Sequence, residues 1–258
     1  MNIKKDLFLR KLIDCPINIQ LKIRDIRNQK NIREAMYNQS KIELNEHLNW
    51  IKNLKGNNNR IVFVVFLTED EPLGVISIDD IDKVNKKASW AFYLDDSSKG
   101  GLGAVLEYNF LNYIFDYLNI EKLNCEVLED NITVIKLHKK FNFSEEGYRR
   151  SQIIKDKSRL GVKLLGLTKR DWSEVRILIY EKYINFFDKY NFYIKDEIFK
   201  KDDILSLIEK TRSKNNVNWM ALLRICVEKD PEISKPIIKQ ILTLDREISD
   251  LTAKLVKE

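Results

Sequence analysis

The sequence predicts an α/β protein of the α+β kind, a mixed sheet flanked by helices on both sides, with a C-terminal all-helical extension. Three observations predict it. Short apolar runs alternate at period two between turn residues, strand and helix patterns then take turns along the chain, and all eight glycines fall at or before Gly166. The remainder therefore lacks the residue that tight turns and left-handed caps favour.

Taken in order, "IQLKIRDI" reads as a strand through its alternating Ile19, Leu21 and Ile23, and "NIREAM" and "ELNEHLNWIKNL" read as helices. "RIVFVVFL", "LGVISIDD" and "ASWAFYLD" are three strands of hairpin length. A glycine turn and a helix from about Leu102 to Tyr117 follow, with Leu102, Val105, Leu106, Phe110, Tyr113, Ile114 and Tyr117 on one face. Trp90 and Phe92 are expected to pack beneath that helix. The strand "KLNCEVLE", the helix "NITVIKLHKKF" and two closing strands around "GYRRSQII" and "RLGVKLLGL" complete the sheet. A boundary near Trp172 is expected to divide residues 1–171 from a helical extension over 172–258. There "SEVRILIYEKYINFFDKY", "KDDILSLIEKTRSK", "NNVNWMALLRICVEK" and "PEISKPIIKQILTLDREISDLTAKLVKE" show apolar residues at three and four spacings. The last carries an Ile/Leu stripe from Ile237 to Leu255, suited to a protein partner, a second copy of the chain, or an ordinary helical subdomain.

Composition narrows the function classes. With 258 residues and 44% hydrophobic content the chain can bury a core. No run approaches the roughly 20 uncharged apolar residues of a membrane span, and charges interrupt the N-terminal "MNIKKDLFLRKLIDC". A cytoplasmic protein with no membrane partner is expected. Cys15, Cys125 and Cys226 lie far apart, and His47 and His138 are the only histidines, so neither a disulfide framework nor a metal site is expected. The net charge of +6 resides in residues 1–170, because residues 171–258 hold 16 basic and 16 acidic side chains. No dense basic cluster with interleaved aromatics occurs, so the excess reads as general solubility before nucleic-acid binding, and it also suits a pocket for phosphorylated small molecules.

Residues 97–104, "SSKGGLGA", place Gly100, Gly101 and Gly103 directly before the helix. The first turn of a helix leaves backbone N–H groups unpaired, pointing beyond its N-terminus, and glycines there let a ligand approach with no Cβ in the way. The outline is that of an anion site, although a tight strand-to-helix turn uses the same residues.

The turn resembles one motif of the GCN5-related N-acetyltransferase (GNAT) superfamily. "AFYLDDSSKGGLGAVL" is similar to that family's aromatic strand followed by Q/R-x-x-G-x-G/A, with Gly101 and Gly103 as the glycines and Ser98 where Gln or Arg is usual. A second family element is an Asn, then a Tyr seven residues on, then a Gly-Phe or similar pair. "NITVIKLHKKFNF" matches it with Asn131, His138 in the Tyr position, and Asn142-Phe143. The two stand in the family's order, and the resemblance spans roughly residues 18–170.

The resemblance implies a GNAT-type, mostly antiparallel sheet and acetyl-CoA as cosubstrate. It implies that Phe92, Leu94, Ser98, Lys99, Gly100, Gly101, Leu102, Gly103, Ala104 and Asn131 hold the coenzyme, the turn cradling its pyrophosphate and Asn131 its pantetheine arm. It further implies that His138 supplies the proton to the departing thiolate. A free thiol has a pKa near 8.5, so that acid need not be strong.

Within the superfamily, "IRNQKNIREAMYNQSKIELNEHLNWIKNL" is similar to the N-acetyltransferases of pseudaminic acid biosynthesis, which acetylate the 4-amino group of a UDP-linked 4-amino-4,6-dideoxy sugar. That likeness implies Arg27, Met36, Tyr37, His47 and Tyr93 as binders of the sugar nucleotide. Ribosomal-protein or peptide acetylation, and a coenzyme-binding module without catalysis, are the competing functions. An attacking amine must be neutral, so a base is also needed. On "LNCEVLE", Leu123, Cys125 and Val127 share one face while Asn124 and Glu126 share the other. Glu126 is therefore the first candidate base, with Ser77 and Asp79 on "GVISIDD" as second choices.

Overall fold

Strand β1 (Lys5–Lys11) buries Leu7, Phe8 and Leu9 in succession, so it is covered on both faces and lies inside a sheet. Two short helices, α1 (Ile17–Arg27) and α2 (Lys30–Glu34), lead to α3 (Leu44–Leu54), which opens on a capping box between Glu43 and Glu46. The antiparallel strands β2 (Ile61–Thr68), β3 (Glu71–Asp82) and β4 (Lys87–Leu94) come next, then α4 (Leu102–Asp116), β5 (Lys122–Leu128) and α5 (Ile132–Lys140). The hairpin of β6 (Ser144–Lys155) and β7 (Ser158–Thr168) precedes the long helix α6 (Lys169–Phe187) and the short strand β8 (Tyr190–Ile194).

The computed structural model describes residues 4–95, 98, 101–155, 157–195, 212, 216, 219–220 and 231–256. Its strands form one eight-stranded sheet in the order β6-β7-β5-β4-β3-β2-β1-β8. Only the β4/β5 and β1/β8 pairs are parallel, so the sheet is mixed and mostly antiparallel, as expected. The apolar run of β2 serves both sides of it. Val62, Val64 and Phe66 meet Ile19, Ile23 and Ile26 of α1 and Ile51 and Leu54 of α3 in one core, while Phe63 and Val65 join the α4 and α6 side in the other. Trp90 stacks on Phe92 at 5.5 Å and lies against Phe110 of α4, beneath the helix as the sequence predicts.

Three readings change. "IQLKIRDI" is helix α1, because Ile19, Ile23 and Ile26 form a helical stripe that is buried, whereas Leu21 of the supposed alternation is only half-buried. Strands β1 and β8 are additional; they pair in parallel from Lys5 with Tyr190 to Leu9 with Ile194. The first compact unit runs from Met1 to Asp196, past the boundary expected near Trp172. Trp172 itself is fully buried, its Nε1–H donating to Asn112 Oδ1 at 2.9 Å, so α6 and β8 belong with the sheet.

The second unit, Glu197–Glu258, contains helix α7 (Pro231–Val256), with Pro236 inside it and Ile241 and Leu244 buried. The helices read over "KDDILSLIEKTRSK" and "NNVNWMALLRICVEK" lie almost wholly outside the described residues. Among the described residues, no helix is long and apolar enough to cross a membrane.

Candidate active site

β4 and β5 share only three rungs: Lys87 with Lys122, Ala88 with Leu123 and Ser89 with Asn124. Beyond them β4 stays on β3 as far as Leu94, and β5 stays on β7 as far as Leu128. The two strands part. A wedge opens whose edges carry backbone N–H and C=O groups with no partner strand opposite, so an extended ligand bearing amides can take the place of the missing ladder.

The glycine turn closes one end of this wedge. Gly101 has φ +80°, in the left-handed region, and caps α4, with the Ala104 N–H donating to its carbonyl at 2.9 Å. A Cβ at Gly101 would also lie 2.6 Å from Cζ of Phe186 on α6. A Cβ at Gly103 would meet only ordinary contacts, Phe92 at 3.6 Å and Leu137 at 3.7 Å. Conformation thus demands a glycine at the first position and space for a ligand is the remaining reason for the second. Ser98 sits in the turn with its Oγ buried and unpartnered, and beside the wedge the Trp90 Nε1–H is likewise buried without a partner. Two orphaned polar atoms beside an open helix N-terminus fit the phosphate and amide groups of coenzyme A. Leu102 is a core residue, Ala104 and Phe92 pack against the same core, Leu94 pairs with Gly74, and Asn131 caps α5 through Oδ1 to the Val134 N–H. Lys99 and Gly100 lie outside the described residues.

Groups able to move protons lie on both faces of the wedge. On the α4 and α5 side, His138 is buried, in ring contact with Trp90 and Phe92 of β4 and with Phe143, and beside Cys125 of β5. It touches both wedge strands. Its Nδ1 lies 2.8 Å from Oε1 of Glu107, a fully buried carboxyl on α4 whose Oε2 has no partner. Burial alone would lower the pKa of His138; the adjoining Glu107 charge and hydrogen bond, together with Cys125, outweigh it and raise His138 to about 10. Burial pushes Glu107 up as well.

On the opposite face Ala91 is exposed although it stands on a central strand, so the sheet is open to solvent there. Ser77 is its partner on β3, and Glu126 lies two residues past the last β4/β5 rung on the same face. Glu126 Oε2 accepts from Tyr37 Oη at 2.5 Å and Oε1 from Arg149 Nη1 at 2.6 Å. Tyr37 is raised by partial burial and then by Glu126, and stays neutral. Ser77 Oγ donates to Asp79 Oδ2 at 2.7 Å, and Arg60 pairs with Asp79 at 2.6 Å. Burial lifts Asp79 above the usual carboxylate range, against the hydrogen bond from Ser77 and the Arg60 charge.

Of the residues read as substrate binders, Arg27 and Tyr93 lie within electrostatic reach of each other. Burial lowers the Arg27 pKa and the neighbouring Tyr93 opposes that; Nη2 of Arg27 donates to the Asn38 carbonyl, while Nη1 is buried without a partner. Met36 packs into the α1–α3 core. His47 is buried in the same layer, its Nε2 2.8 Å from the Gln20 carbonyl and its ring 5.6 Å from Trp50, so its contacts join α3 to α1.

A family description for the acetyltransferase (GNAT) domain matches residues 21–159, more than half of the chain. The chain belongs to the GNAT acetyltransferase family. It is accordingly an N-acetyltransferase. Acetyltransferase PseH of Campylobacter jejuni subsp. jejuni serotype O:2 is 30% identical over 118 residues, which span 46% of this chain and 72% of that protein. The PseH of serotype O:23/36 is 28% identical over the same shares. Among solved GNAT folds, the spermidine N-acetyltransferase of Vibrio cholerae in complex with CoA and spermine has a TM-score of 0.60 at 20% identity, covering 65% of this chain and 98% of that one.

Three partners in this GNAT site escape the sequence reading: Glu107, Arg149 and Phe186. Only Glu107 leaves a sequence signal, a carboxylate between Leu106 and Tyr108 on a helix otherwise apolar there.

Proposed function

We propose that the chain transfers the acetyl group of acetyl-CoA directly to the 4-amino group of a UDP-linked amino-deoxy sugar, in the cytoplasmic synthesis of a nonulosonic acid of the pseudaminic type. The observation that supports the chemistry is the disposition of groups about the wedge: Glu126, tied to Tyr37, on one face, and His138 touching both strands from the other. Likeness to the two PseH acetyltransferases supports the class of acceptor.

In this reading the thioester lies in the wedge, with the coenzyme held by Phe92, Leu94, Ser98–Ala104 and Asn131. The acceptor enters over Ala91, among Arg27, Met36, Tyr37, His47 and Tyr93, the Nη1 of Arg27 being free to meet a phosphate oxygen. The amine nitrogen attacks the carbonyl carbon and gives its proton to Glu126 directly or through water, with Asp79 and its partner Ser77 as the second route. The C–S bond then breaks and the sulfur leaves towards His138. No bond to the enzyme forms.

Residues beyond the sheet, α7 above all, serve in the same reading as an interaction or oligomerisation element. Light scattering of the full chain against one ending at Asp196 tests this, and equal subunit numbers refute it.

The decisive assay uses purified protein, acetyl-CoA and a panel of acceptors: UDP-4-amino-4,6-dideoxy sugars, spermidine and ribosomal-protein peptides. Release of free thiol with the sugars alone is expected. Turnover confined to the polyamine or the peptides removes the sugar assignment.

A further inference from the structure

The least explained group in the molecule is Glu107. Its carboxyl is fully inside the core, between α4, α5 and the sheet, with one oxygen 2.8 Å from His138 Nδ1 and the other without a partner. A carboxylate taken out of water is costly to keep, and a well-packed apolar residue usually serves stability as well or better. Among the described residues, the other groups against the imidazole are aromatic rings and one cysteine. β4 presents Trp90 and Phe92, the segment after α5 presents Phe143, and β5 presents the Cys125 thiol.

We propose that Glu107 is a positioning residue for acetyl transfer: its buried charge orients His138 and keeps it an imidazolium facing the wedge, where the coenzyme sulfur departs. For its catalytic half this rests on the reading given above. Thioester aminolysis forms a C–N bond and breaks a C–S bond, and the electron pair leaves on sulfur. A neutral imidazole in this aromatic box could only orient the thioester, whereas an imidazolium stabilises the developing thiolate and delivers its own proton to it. The amine's proton leaves on the opposite face, and His138 recovers one from solvent after the thiol departs, so protons and electrons balance.

The arrangement also explains how His can replace the Tyr of the family pattern. A solvated histidine loses its proton near pH 6.5, but one held beside Glu107 retains it across neutral pH, with a pKa raised to about 10 against the effect of burial.

Glu107→Gln keeps the shape and removes the charge. Nitrogen-15 NMR of the His138 side chain in the ligand-free protein should show an imidazolium from about pH 6 to 8.5 in the wild type, and a neutral ring over the upper part of that range in the variant, because burial alone lowers its pKa. This arm needs no acceptor, so it separates the inference from the substrate assignment. A neutral His138 at pH 7 in the wild type overturns the inference by itself. In the rate arm, thiol release with whichever amine the panel selects is followed against pH. Glu107→Gln should lose kcat about tenfold per pH unit above its new midpoint and converge on the wild type as pH falls. Glu107→Asp, which keeps the charge on a shorter arm, should retain the wild-type profile. A loss that is equal at every pH in both variants shows packing alone and refutes the positioning role.

Discussion

The Tyr37 hydroxyl donates to Glu126 across 2.5 Å, joining the segment after α2 to a strand on the far side of the wedge. The acceptor side is thereby held by one hydrogen bond to a charged oxygen, of a kind worth about 1.5–3 kcal/mol when broken one-sidedly. Exposure of both side chains to solvent puts the present case at the low end. Tyr37→Phe should therefore reduce kcat/KM for the amine about fivefold to tenfold and leave the acetyl-CoA KM unchanged. Glu126→Gln should cost about 10² in kcat, read in the same thiol-release assay.

The two glycines of the turn separate fold from ligand. Gly101→Ala combines a left-handed backbone with a Cβ 2.6 Å from Phe186, so it should lower stability by about 1–2 kcal/mol and weaken coenzyme binding together. Gly103→Ala meets no clash and lies in the helix, where alanine is favoured by about 0.5–1 kcal/mol. The expected outcome is a higher Tm with weaker coenzyme binding by calorimetry. Unchanged affinity would show that the ligand does not approach this backbone.

Truncation locates the end of the folded sheet. A chain ending at residue 171 loses Trp172, α6 and β8, and with them a fully buried indole whose removal typically costs 3–5 kcal/mol. That chain should be insoluble or non-cooperative in urea. A chain ending at Asp196 should unfold in one sharp transition, with coenzyme affinity within about twofold of the full chain.

Stability should peak near neutrality, for reasons of opposite sign. His47 has its pKa lowered by burial from 6.5, so the unfolded chain takes up the proton first as pH falls, and stability declines below about pH 6.5. His138 has its pKa raised to about 10, so its contribution is full below 6.5 and fades as pH climbs towards 10. Urea midpoints at pH 5.5, 7 and 9 check both slopes, and His47→Gln should flatten the acid side alone.

The glycine turn, strands β2 to β7 and helices α3 to α5 could be read from local pattern, since each keeps one period and ends on a turn residue. α1 could not, because Ile19 and Ile23 satisfy a period of two and of four at once, and Pro16 at its N-cap position does not decide between them. β1 and β8 were hidden for a different reason. Each is short, and the rung between Lys5 and Tyr190 joins residues at opposite ends of the unit, a relation no local window contains. The absence of glycine after Gly166 looked like a domain boundary, yet α6 starts on a Thr168–Asp171 capping box and needs no glycine. At the site, the face of Glu126 followed from strand alternation. The coupling of His138 to Glu107 did not, since it depends on the crossing of two helices.

Three rungs are all that stitch β4 to β5, so the sheet is in effect two ribbons on a short seam. The occupant of the gap would behave as a borrowed strand, supplying from outside the cross-links that the polypeptide omits. Amides along Ala91–Leu94 and Glu126–Leu128 should then exchange with solvent most readily in the empty protein and slow together on loading, making catalysis and mechanical closure of the sheet one event.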